Sequence, residues 1–451
     1  MKRNRLNRAL ALGGLLCGLS LPAWSLDLLQ AYEAARQQDA TLLAARAAAL
    51  AGQERLPQAR ALLLPNLSVN VTRNNNRLDS TSVDFFGQPQ SVFDSYVSSN
   101  DSLTLRQPLF RTYLTAQYRQ AVAQVEDVNA GLVREEQNLA VRVSGAYFEA
   151  LLARDQQALV QAQHTSYSAQ LDAARKSFAA GSGTRTEVDE AQARLDMINA
   201  QALEAAQNVE YTRRQLQVLV NQPVDDLATL DVNRLDLVPP QPDRLEDWVS
   251  RAEEASPELR QLRAQLQAAR LEVDKAQAGH HPTLDAVVQW TNSASENVTR
   301  ITSRYTNASA GLQLNIPLFA GGYVLSTVRQ ALASQDRAEQ ALEAARRALG
   351  VSVHKEFRGV TEGVARVRAL EQAARSAEQM VLSSQKSYQA GMRTTLDVLN
   401  AQQQRMLVLR DLAQARYVYL ISRIRLLALT GGADADAITA VNQALQQVAA
   451  K

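Results

Sequence analysis

The sequence predicts a mainly α-helical chain made of two tandem halves, each with long helical rods and one β-hairpin. Three observations lead to this fold class. A glycine-containing turn occurs twice at a fixed displacement, long tracts rich in Ala, Gln, Arg, Glu and Leu lack proline, and two regions bounded by prolines alternate apolar with polar residues.

The repeated turn is the most informative of these features. Its glycine stands at Gly181 and again at Gly391, a displacement of 210 residues. A Pro-Leu-Phe motif recurs from Pro108 to Pro317, displaced by 209 residues, so the repeat extends beyond the turn. Such a period is too long for a solenoid and indicates duplication of a whole half-protein. The two turns are Phe178-Ala-Ala-Gly181-Ser-Gly-Thr-Arg-Thr-Glu187-Val188 and Tyr388-Gln-Ala-Gly391-Met-Arg-Thr-Thr-Leu-Asp397-Val398.

The first 25 residues have the pattern of a secretory signal peptide. Four basic residues precede an apolar run from 9 to 21 and the small-x-small site Ala23-Trp24-Ser25. The one cysteine, Cys17, lies inside this segment, so we predict a mature chain without disulfides. A lipoprotein signal is the alternative for Cys17, although Leu16 before it is bulkier than such sites require. No later stretch is long and apolar enough to form a transmembrane helix.

Charge and motifs exclude several function classes. The 48 Lys and Arg, less the four of the signal, leave 44 against 46 Asp and Glu, and this balance argues against nucleic acid as a partner. The sequence contains no phosphate-binding glycine loop, no nucleophile elbow and no metal-ligand spacing. We therefore predict no enzyme activity, no catalytic residues, no cofactor and no resident metal.

The first half, predicted over residues 26–240, begins with a helix from the N-cap Asp27 to about Leu63, where Pro65 ends it. A proline-free helix follows over about 112–180, and at about 1.5 Å per residue it is on the order of 100 Å long. After the turn at Gly181, a return helix is expected over about 186–220.

The second half, residues 241–432, repeats this order. We expect a helix over 245–279 with a break near Ser256-Pro257, a long helix over 322–390, a turn at Gly391 and a return helix to about 429. The tail, 433–451, is expected to be mobile or to wrap around the helices. Rods of this length favour lateral coiled-coil packing, and a large bundle of ordinary helices is the alternative.

Each half also contains one predicted β-hairpin, at about 66–108 and 283–317. The run Asn74-Asn75-Asn76 and the polar residues after it are expected to form an extracellular loop between the strands of the first hairpin. Aromatic residues near the strand ends fit a membrane-interface belt. These residues are Phe110, Trp290, Tyr305 and Phe319.

Alternating strands with both faces in use are typical of outer-membrane barrels. Four strands cannot close a barrel, and a membrane leaves no sheet edge unpaired, so several chains must share one. Three chains would supply twelve strands. A soluble four-stranded sheet covered by helices is the alternative.

These features together resemble the TolC family of outer-membrane efflux and secretion channels, over nearly the whole mature chain. The most specific match is to the periplasmic tip motif of that family, at Tyr388-x-x-Gly391-x-Arg393-Thr-x-x-Asp397-Val398-Leu399-x-Ala401. The resemblance implies a homotrimer in a Gram-negative bacterium. Its twelve-stranded β-barrel would lie in the outer membrane, and a twelve-helix, hollow coiled-coil α-barrel would cross the periplasm.

The resemblance also implies a gate at the periplasmic tip. Tyr388 and Arg393 match positions that link neighbouring helix pairs in the closed state, and Thr186 and Glu187 match their partners. Asp397 matches a residue whose three copies ring the narrowest aperture. Asn400 stands where the best-known members have a second acidic ring, which predicts a less negative constriction.

Elementary electrostatics is consistent with these roles. Three converging carboxylates repel one another, which raises their effective pKa or recruits a cation at the ring of Asp397. Arg393 can bind a neighbouring carboxylate through its planar fork and so bias a two-state aperture. The alternative is that Glu187, Arg393 and Asp397 are ordinary capping or solvated charges beside glycine turns.

The predicted function is an exit duct that passes secreted protein, by type I secretion, or small molecules, by efflux. Its expected partners are a periplasmic adaptor, an inner-membrane transporter of the ABC or RND type and outer-membrane lipid. A periplasmic adaptor with a long helical hairpin is the alternative from another class. Adaptors normally carry one helical hairpin flanked by small β domains. Here two β-hairpins lie between helices, and this arrangement favours the channel.

Overall fold

The structure is a computed structural model that describes residues 25–296 and 302–446. The predicted signal peptide lies outside the described residues except for Ser25, and so does Cys17. None of the described helices combines the length and the apolar composition needed to cross a membrane.

The two halves contain corresponding elements in the same order. The first half comprises α1 (Leu28–Gln38), α2 (Ala40–Gln53), α3 (Arg55–Ala61), β1 (Asn66–Val83), β2 (Pro89–Phe110), α4 (Thr112–Ala179), α5 (Arg185–Val220) and the short β3 (Thr229–Leu230). The second comprises α6 (Leu245–Ala255), α7 (Pro257–Gln277), a 3-10 turn (Ala278–His280), β4 (Thr283–Glu296), β5 (Thr302–Asn315), α8 (Tyr323–Gln389) and α9 (Thr395–Leu429). The helix α10 (Ala435–Asn442) and the short β6 (Leu445–Gln446) follow.

The long helices confirm the prediction from sequence. α4 has 68 residues and α8 has 67, and their return helices α5 and α9 have 36 and 35. α4 packs along α5, α7 and α9, and α8 packs along α9 and α7. The fold is therefore a mainly α-helical chain of long, laterally packed rods with one four-stranded sheet.

The first helical segment differs from the single helix predicted to Leu63. Asp27 caps α1 as expected, with both bonds of a capping box. The chain then leaves the helix at Asp39, whose ψ is 119°, because this residue caps α2 instead. Asp39 Oδ1 accepts hydrogen bonds from Leu42 N at 2.8 Å and from Arg142 Nη2 at 2.9 Å. The break at Asp39 is thus stabilised by a cation on α4.

The sheet has the strand order β1-β2-β4-β5, and all neighbours are antiparallel. Directly paired residues form rows across it, and one face carries apolar rows. The first row is Leu67, Leu105, Val288 and Ala310, and the second is Val69, Leu103, Trp290 and Ala308. The opposite face is polar, with rows such as Asn70, Ser102, Thr291 and Asn307.

Two expectations about the strands are wrong. Asn74-Asn75-Asn76 lies inside β1, paired with residues 96–98 of β2, and the loop is the later turn at 84–88. Backbone pairing tolerates polar side chains where both faces of a ribbon meet water. Tyr305 pairs with Ser293 on the polar face, whereas Trp290 lies on the apolar one. Successive strand residues alternate faces, so Tyr305 does not share a belt with Trp290.

The main hydrophobic core surrounds the middle of the long helices. Tyr147 on α4 and Tyr419 on α9 are completely buried there, together with Leu28 of α1 and Ile438 of α10. The Tyr147 hydroxyl lies 3.0 Å from the carbonyl oxygens of both Leu26 and Ala228. Hydrogen bonds and apolar contacts in this core thus hold the N-terminal segment and the β3 region against the long helices.

The described part of the C-terminal tail is packed against this core. Asn442 Oδ1 accepts a hydrogen bond from Leu28 N at 3.1 Å, and β6 pairs with β3. Ile438 and Val441 are buried on the inner side of α10. Of the two expected behaviours, mobile or wrapped around the helices, residues 433–446 therefore follow the second.

Candidate functional site

The two turns between long and return helices share one backbone geometry. Gly181 and Gly391 both have a φ of 73°, in the left-handed region that favours glycine. Gly181 N–H donates to the carbonyl of Phe178 over 3.0 Å, and Gly391 N–H donates to the carbonyl of Tyr388 over 2.9 Å. The sequence repeat is therefore also a repeat of local structure.

Each return helix begins at a threonine N-cap with an acidic residue three positions later. Thr184 N–H donates to Glu187 Oε2 over 2.9 Å, and Glu187 N–H donates to Thr184 Oγ1 over 3.3 Å. Thr394 and Asp397 make the same reciprocal pair, at 2.9 and 3.3 Å. Both capping boxes satisfy N–H groups that a helix start leaves without partners. Glu187 and Asp397 therefore cap helices within the protomer.

The cap also sets the charge state of Asp397. The backbone N–H of Thr394 lowers the pKa of this carboxyl below its ordinary value, and the Thr394 hydroxyl and the Arg393 charge act in the same direction. Repulsion among three copies would act in the opposite direction. Within one protomer, hydrogen bonds to the ionised form thus favour the negative charge at this position.

Hydrogen bonds join the tips of the two halves. Thr395 Oγ1 donates to Glu187 Oε1 over 3.4 Å, and Thr395 is itself buried. Further along the helices, Arg194 Nη2 donates to Asn400 Oδ1 over 2.9 Å, and Nη1 of the same arginine donates to Gln403 Oε1. Glu187 and Arg194 are two helical turns apart, about 10 Å. The starts of α5 and α9 are therefore connected at two levels.

Apolar packing supports this connection. Leu399 of α9 is completely buried and packs with Ile198 of α5 and Tyr167 of α4. Ser166 Oγ on α4 donates to Gln402 Oε1 on α9 over 3.0 Å. The inner side of α9 is thus held by both long elements of the first half near the tip.

The remaining candidates are placed differently. Arg393 Nη1 donates to Ser384 Oγ over 3.1 Å, and Ser384 is buried, so Arg393 folds back along α8. The side chains of Thr186 and Tyr388 make no hydrogen bond to another residue of the described chain, and Tyr388 is 38% exposed. Both are therefore accessible to a neighbouring molecule at the tip.

Sequence reasoning missed Arg194 and Thr395. Arg194 lies seven residues after Glu187, which places both on one face of α5, and this spacing was the available signal. Its partner Asn400 belongs to the other half and is found only through the packing of α5 and α9. Within 25–296 and 302–446, no group of three or more His, Cys, Asp or Glu side chains is placed to hold a metal ion.

Comparisons with known proteins agree with this architecture. The family model described as "Outer membrane efflux protein" matches residues 31–222 and 248–432. The alkaline protease secretion protein AprF of Pseudomonas aeruginosa is 34% identical over 426 residues, which cover 94% of this chain and 88% of AprF. The proteases secretion protein PrtF of Dickeya chrysanthemi is 31% identical, with 88% and 86% covered.

The outer membrane protein TolC of Escherichia coli is 29% identical, over 96% of this chain and 89% of TolC. Among solved structures, the outer membrane protein VceC of Vibrio cholerae matches with a TM-score of 0.76 at 20% identity, covering 90% of this chain and 97% of VceC. The Campylobacter jejuni outer membrane channel CmeC matches with a TM-score of 0.75 at 15% identity, covering 98% of both chains. These structures show the shared fold.

The similarities support the channel and not the periplasmic adaptor that the sequence left open as an alternative. They also show a channel and transport protein of the outer membrane. The chain belongs to the outer membrane efflux protein family, and it is an export duct of the outer membrane that reaches into the periplasm.

Proposed function

We propose that this protein is the exit duct of a type I system for secreted proteins and that it is gated at the turns around Gly181 and Gly391. The observation that carries the gate is the placement of Asp397, Arg393, Tyr388 and Thr186 at one end of rods about 100 Å long. The opposite end of the same rods carries the sheet, so the tip lies far from the outer membrane.

The ends of the sheet support a shared barrel. β1 and β5 are edge strands of 18 and 14 residues, each with one unpaired side. Such edges have no water to satisfy them in a membrane, so β1 of one protomer pairs with β5 of the next. Three protomers close twelve strands. The apolar rows at Leu67, Val69, Leu103 and Trp290 then face outer-membrane lipid, and the polar face lines the pore.

The gate works through contacts between protomers at the tip. Three copies of Asp397 converge on the axis and repel one another, and a divalent cation relieves the repulsion and blocks the pore. Tyr388 and Thr186, whose side chains have no hydrogen-bond partner among the described residues, bind the neighbouring protomer. Arg393 exchanges Ser384 for a carboxylate such as Glu187 of that neighbour, which would strengthen the contact because both groups are charged.

Asn400 has a different role in this scheme. Its side chain is held by Arg194 and adds no negative charge to the aperture. The constriction therefore depends on a single acidic ring at Asp397. A single ring leaves the closed state more dependent on the links between α5 and α9 than on cation binding.

Secreted protein is the proposed cargo because two relatives above 30% identity, AprF and PrtF, are named for the secretion of proteases. The proposed transporter is of the ABC type, since type I secretion of proteins is driven by ATP hydrolysis at the inner membrane. Small-molecule efflux, with an RND-type transporter, is the second candidate. The family name and the fold shared with CmeC favour it.

Single-channel conductance of the purified protein in a planar bilayer tests the gate. The expected result is a small, stable conductance that millimolar divalent cation on the tip side blocks. Arg393→Ala and Asp397→Ala should each increase the conductance. Asp196→Ala is the matched control. Asp196 is an exposed acidic residue on α5, and the hydrogen bond described for it comes from Gln192 of the same helix. Unchanged conductance in both gate variants would refute the gate.

Cargo is tested in a strain that lacks the chromosomal copy of the gene. Restored release of a secreted protein, without restored resistance to antibiotics, supports type I secretion. Restored resistance without protein release supports efflux and overturns the proposed cargo. The gate prediction is independent of either result.

A further inference from the structure

The turn of the first hairpin presents two phenylalanines to solvent. Phe85 is 98% exposed and Phe86 is 84% exposed, and their rings form an edge-to-face pair 5.7 Å apart. Asp84 Oδ1 accepts hydrogen bonds from Phe86 N at 2.9 Å and Gln88 N at 2.8 Å, and Gly87 adopts a φ of 74°. The turn is therefore fixed by its own hydrogen bonds while it holds an aromatic pair in water, where large apolar side chains are least stable.

This turn stands at the end of a long free ribbon, here called the arm, formed by residues 75–97. The last pair between β2 and β4 is Ser98 with Ser295, so the nine β2 residues 89–97 extend beyond that pair. At about 3.4 Å per residue, the arm reaches about 30 Å past it. The described part of β4 ends one residue after this pair, at Glu296, so the arm has no described strand beside it.

The burial pattern indicates that the arm is concave on the face continuous with the polar rows, which is the pore side of the proposed barrel. On the face continuous with the polar rows, Leu78, Val92 and Tyr96 are half-buried, although no other described strand pairs with the arm. On the face continuous with the apolar rows, Phe93 and Val97 are 72% and 57% exposed. A flat ribbon would expose both faces equally. Side chains become crowded on the concave face of a twisted, coiled ribbon, and here the concave face is the polar one.

The dimensions of the proposed barrel bring the arms within reach of one another. Twelve strands spaced about 4.8 Å apart and tilted by about 40° enclose a circle of roughly 24 Å diameter, measured at the backbone. The axis is then about 12 Å from each strand, well within the arm's reach of about 30 Å. Each arm is continuous with β1, the strand at the proposed contact between protomers.

We propose that the three arms of the trimer bend over the extracellular mouth and pack their Phe85–Phe86 pairs against one another on the axis. Each Phe85–Phe86 pair therefore contacts the same pair of residues in the two other protomers. This contact forms a second constriction, at the end of the pore opposite to Asp397. It is held by apolar burial, so divalent cations do not control it. The proposal rests on the trimer and the β1–β5 pairing described above.

Cysteine crosslinking in intact cells tests this contact, because the one native cysteine, Cys17, lies in the predicted signal peptide. Phe86→Cys is treated with a short bis-maleimide and examined on a denaturing gel. The matched control is Ser95→Cys, an exposed position on the outer face of the same arm. Phe86→Cys is expected to form covalent dimers, and Ser95→Cys is expected to form none.

Two results would overturn the proposal while leaving the channel intact. One is a trimer that conducts normally but yields no dimers from Phe86→Cys or from Phe85→Cys, which means that the arms lie apart or on the membrane surface. The other is equal crosslinking at Ser95, which means random encounters of mobile arms. A protein that forms no trimer at all would instead refute the proposed assembly.

Conductance gives a second measurement. Because two constrictions in series limit the current together, the substitutions Phe85→Ser and Phe86→Ser are combined with Asp397→Ala. The expected result is a conductance above that of Asp397→Ala alone. An unchanged conductance in a background where Asp397→Ala has already raised it would overturn the second constriction.

Discussion

Arg194 in the first repeat donates a 2.9 Å hydrogen bond to Asn400 in the second, and so fastens α5 to α9 near the tip. The two residues are 206 positions apart in the chain. The bond lies two helical turns beyond the Glu187 cap, on the same side of α5 as the contact from Thr395. In the proposed gate, opening of the aperture moves α9 relative to α5, and this pair then opposes opening.

Arg194→Ala is expected to increase the open fraction of the channel. Each lost hydrogen bond is worth about 0.5–1.5 kcal/mol, and three copies act together in a trimer. Single-channel recording measures the open fraction. Arg213→Ala is the matched control, because Arg213 pairs with Glu210 three residues earlier on the same helix. Equal effects of the two substitutions would show that loss of any α5 arginine suffices.

Cation block at Asp397 is expected to persist from neutral pH down to about pH 5. The Thr394 cap depresses the pKa of this carboxyl, so the charge, and the stability that the cap contributes, are present above the ordinary aspartate pKa and are lost only as pH falls through the depressed value. Conductance with divalent cation is measured across this range. A block that fades between pH 7 and about pH 5 would show that repulsion among three copies dominates over the cap. Asp397→Asn should abolish the block at every pH.

Tyr147→Phe is expected to destabilise the central core by about 1–3 kcal/mol, because the carbonyl of the fully buried Ala228 loses its hydroxyl donor. Burial also raises the pKa of Tyr147, so the hydroxyl remains a donor throughout the accessible pH range. Thermal unfolding followed by circular dichroism measures the loss. Tyr211→Phe, at an exposed site where the hydroxyl accepts from Gln215, should change stability by less than about 0.5 kcal/mol.

Two glycine substitutions in the second repeat should have opposite effects. Gly391→Ala places a Cβ at a φ of 73° and is expected to cost about 1–2 kcal/mol, although no atom lies near the added carbon. Gly350→Ala, inside α8 with equally open space, should stabilise by about 0.5–1 kcal/mol through helix propensity. The midpoints of thermal unfolding of the two variants distinguish them. A loss of stability in both would indicate packing against a neighbouring protomer.

The sequence repeat predicted the long elements because they depend on local rules. Proline-free tracts of good helix formers predicted α4 and α8. The caps Thr184 and Thr394 were not predicted, although the Thr-x-x-Glu and Thr-x-x-Asp patterns are the local signal for them. The same reasoning failed at Asp39, where a cation from α4 stabilises a break inside an otherwise continuous helical pattern. It also failed at Asn75, which backbone pairing with Val97 keeps inside a strand.

The residues of the candidate site also divide into those that local sequence predicts and those that only contacts between distant residues reveal. Gly181, Gly391, Glu187 and Asp397 could be found from sequence, since a turn and its cap are set by a few neighbouring residues. The partners of Arg393 and Asn400 could not. Arg393, in the turn between α8 and α9, binds Ser384 near the end of α8. Asn400 binds Arg194, a residue of the other half that does not occupy the corresponding position of the repeat.

The sequence by itself determined the two-fold repeat, the rods, the hairpins and the turns, because helix periodicity, strand alternation and glycine conformation act over a few residues. Only the tertiary structure decided which side chains meet across the repeats, where Tyr305 faces, how far the arm extends and that α10 closes onto α1. These contacts join residues far apart in the chain. Their geometry depends on how helices and strands pack together, which no local pattern records.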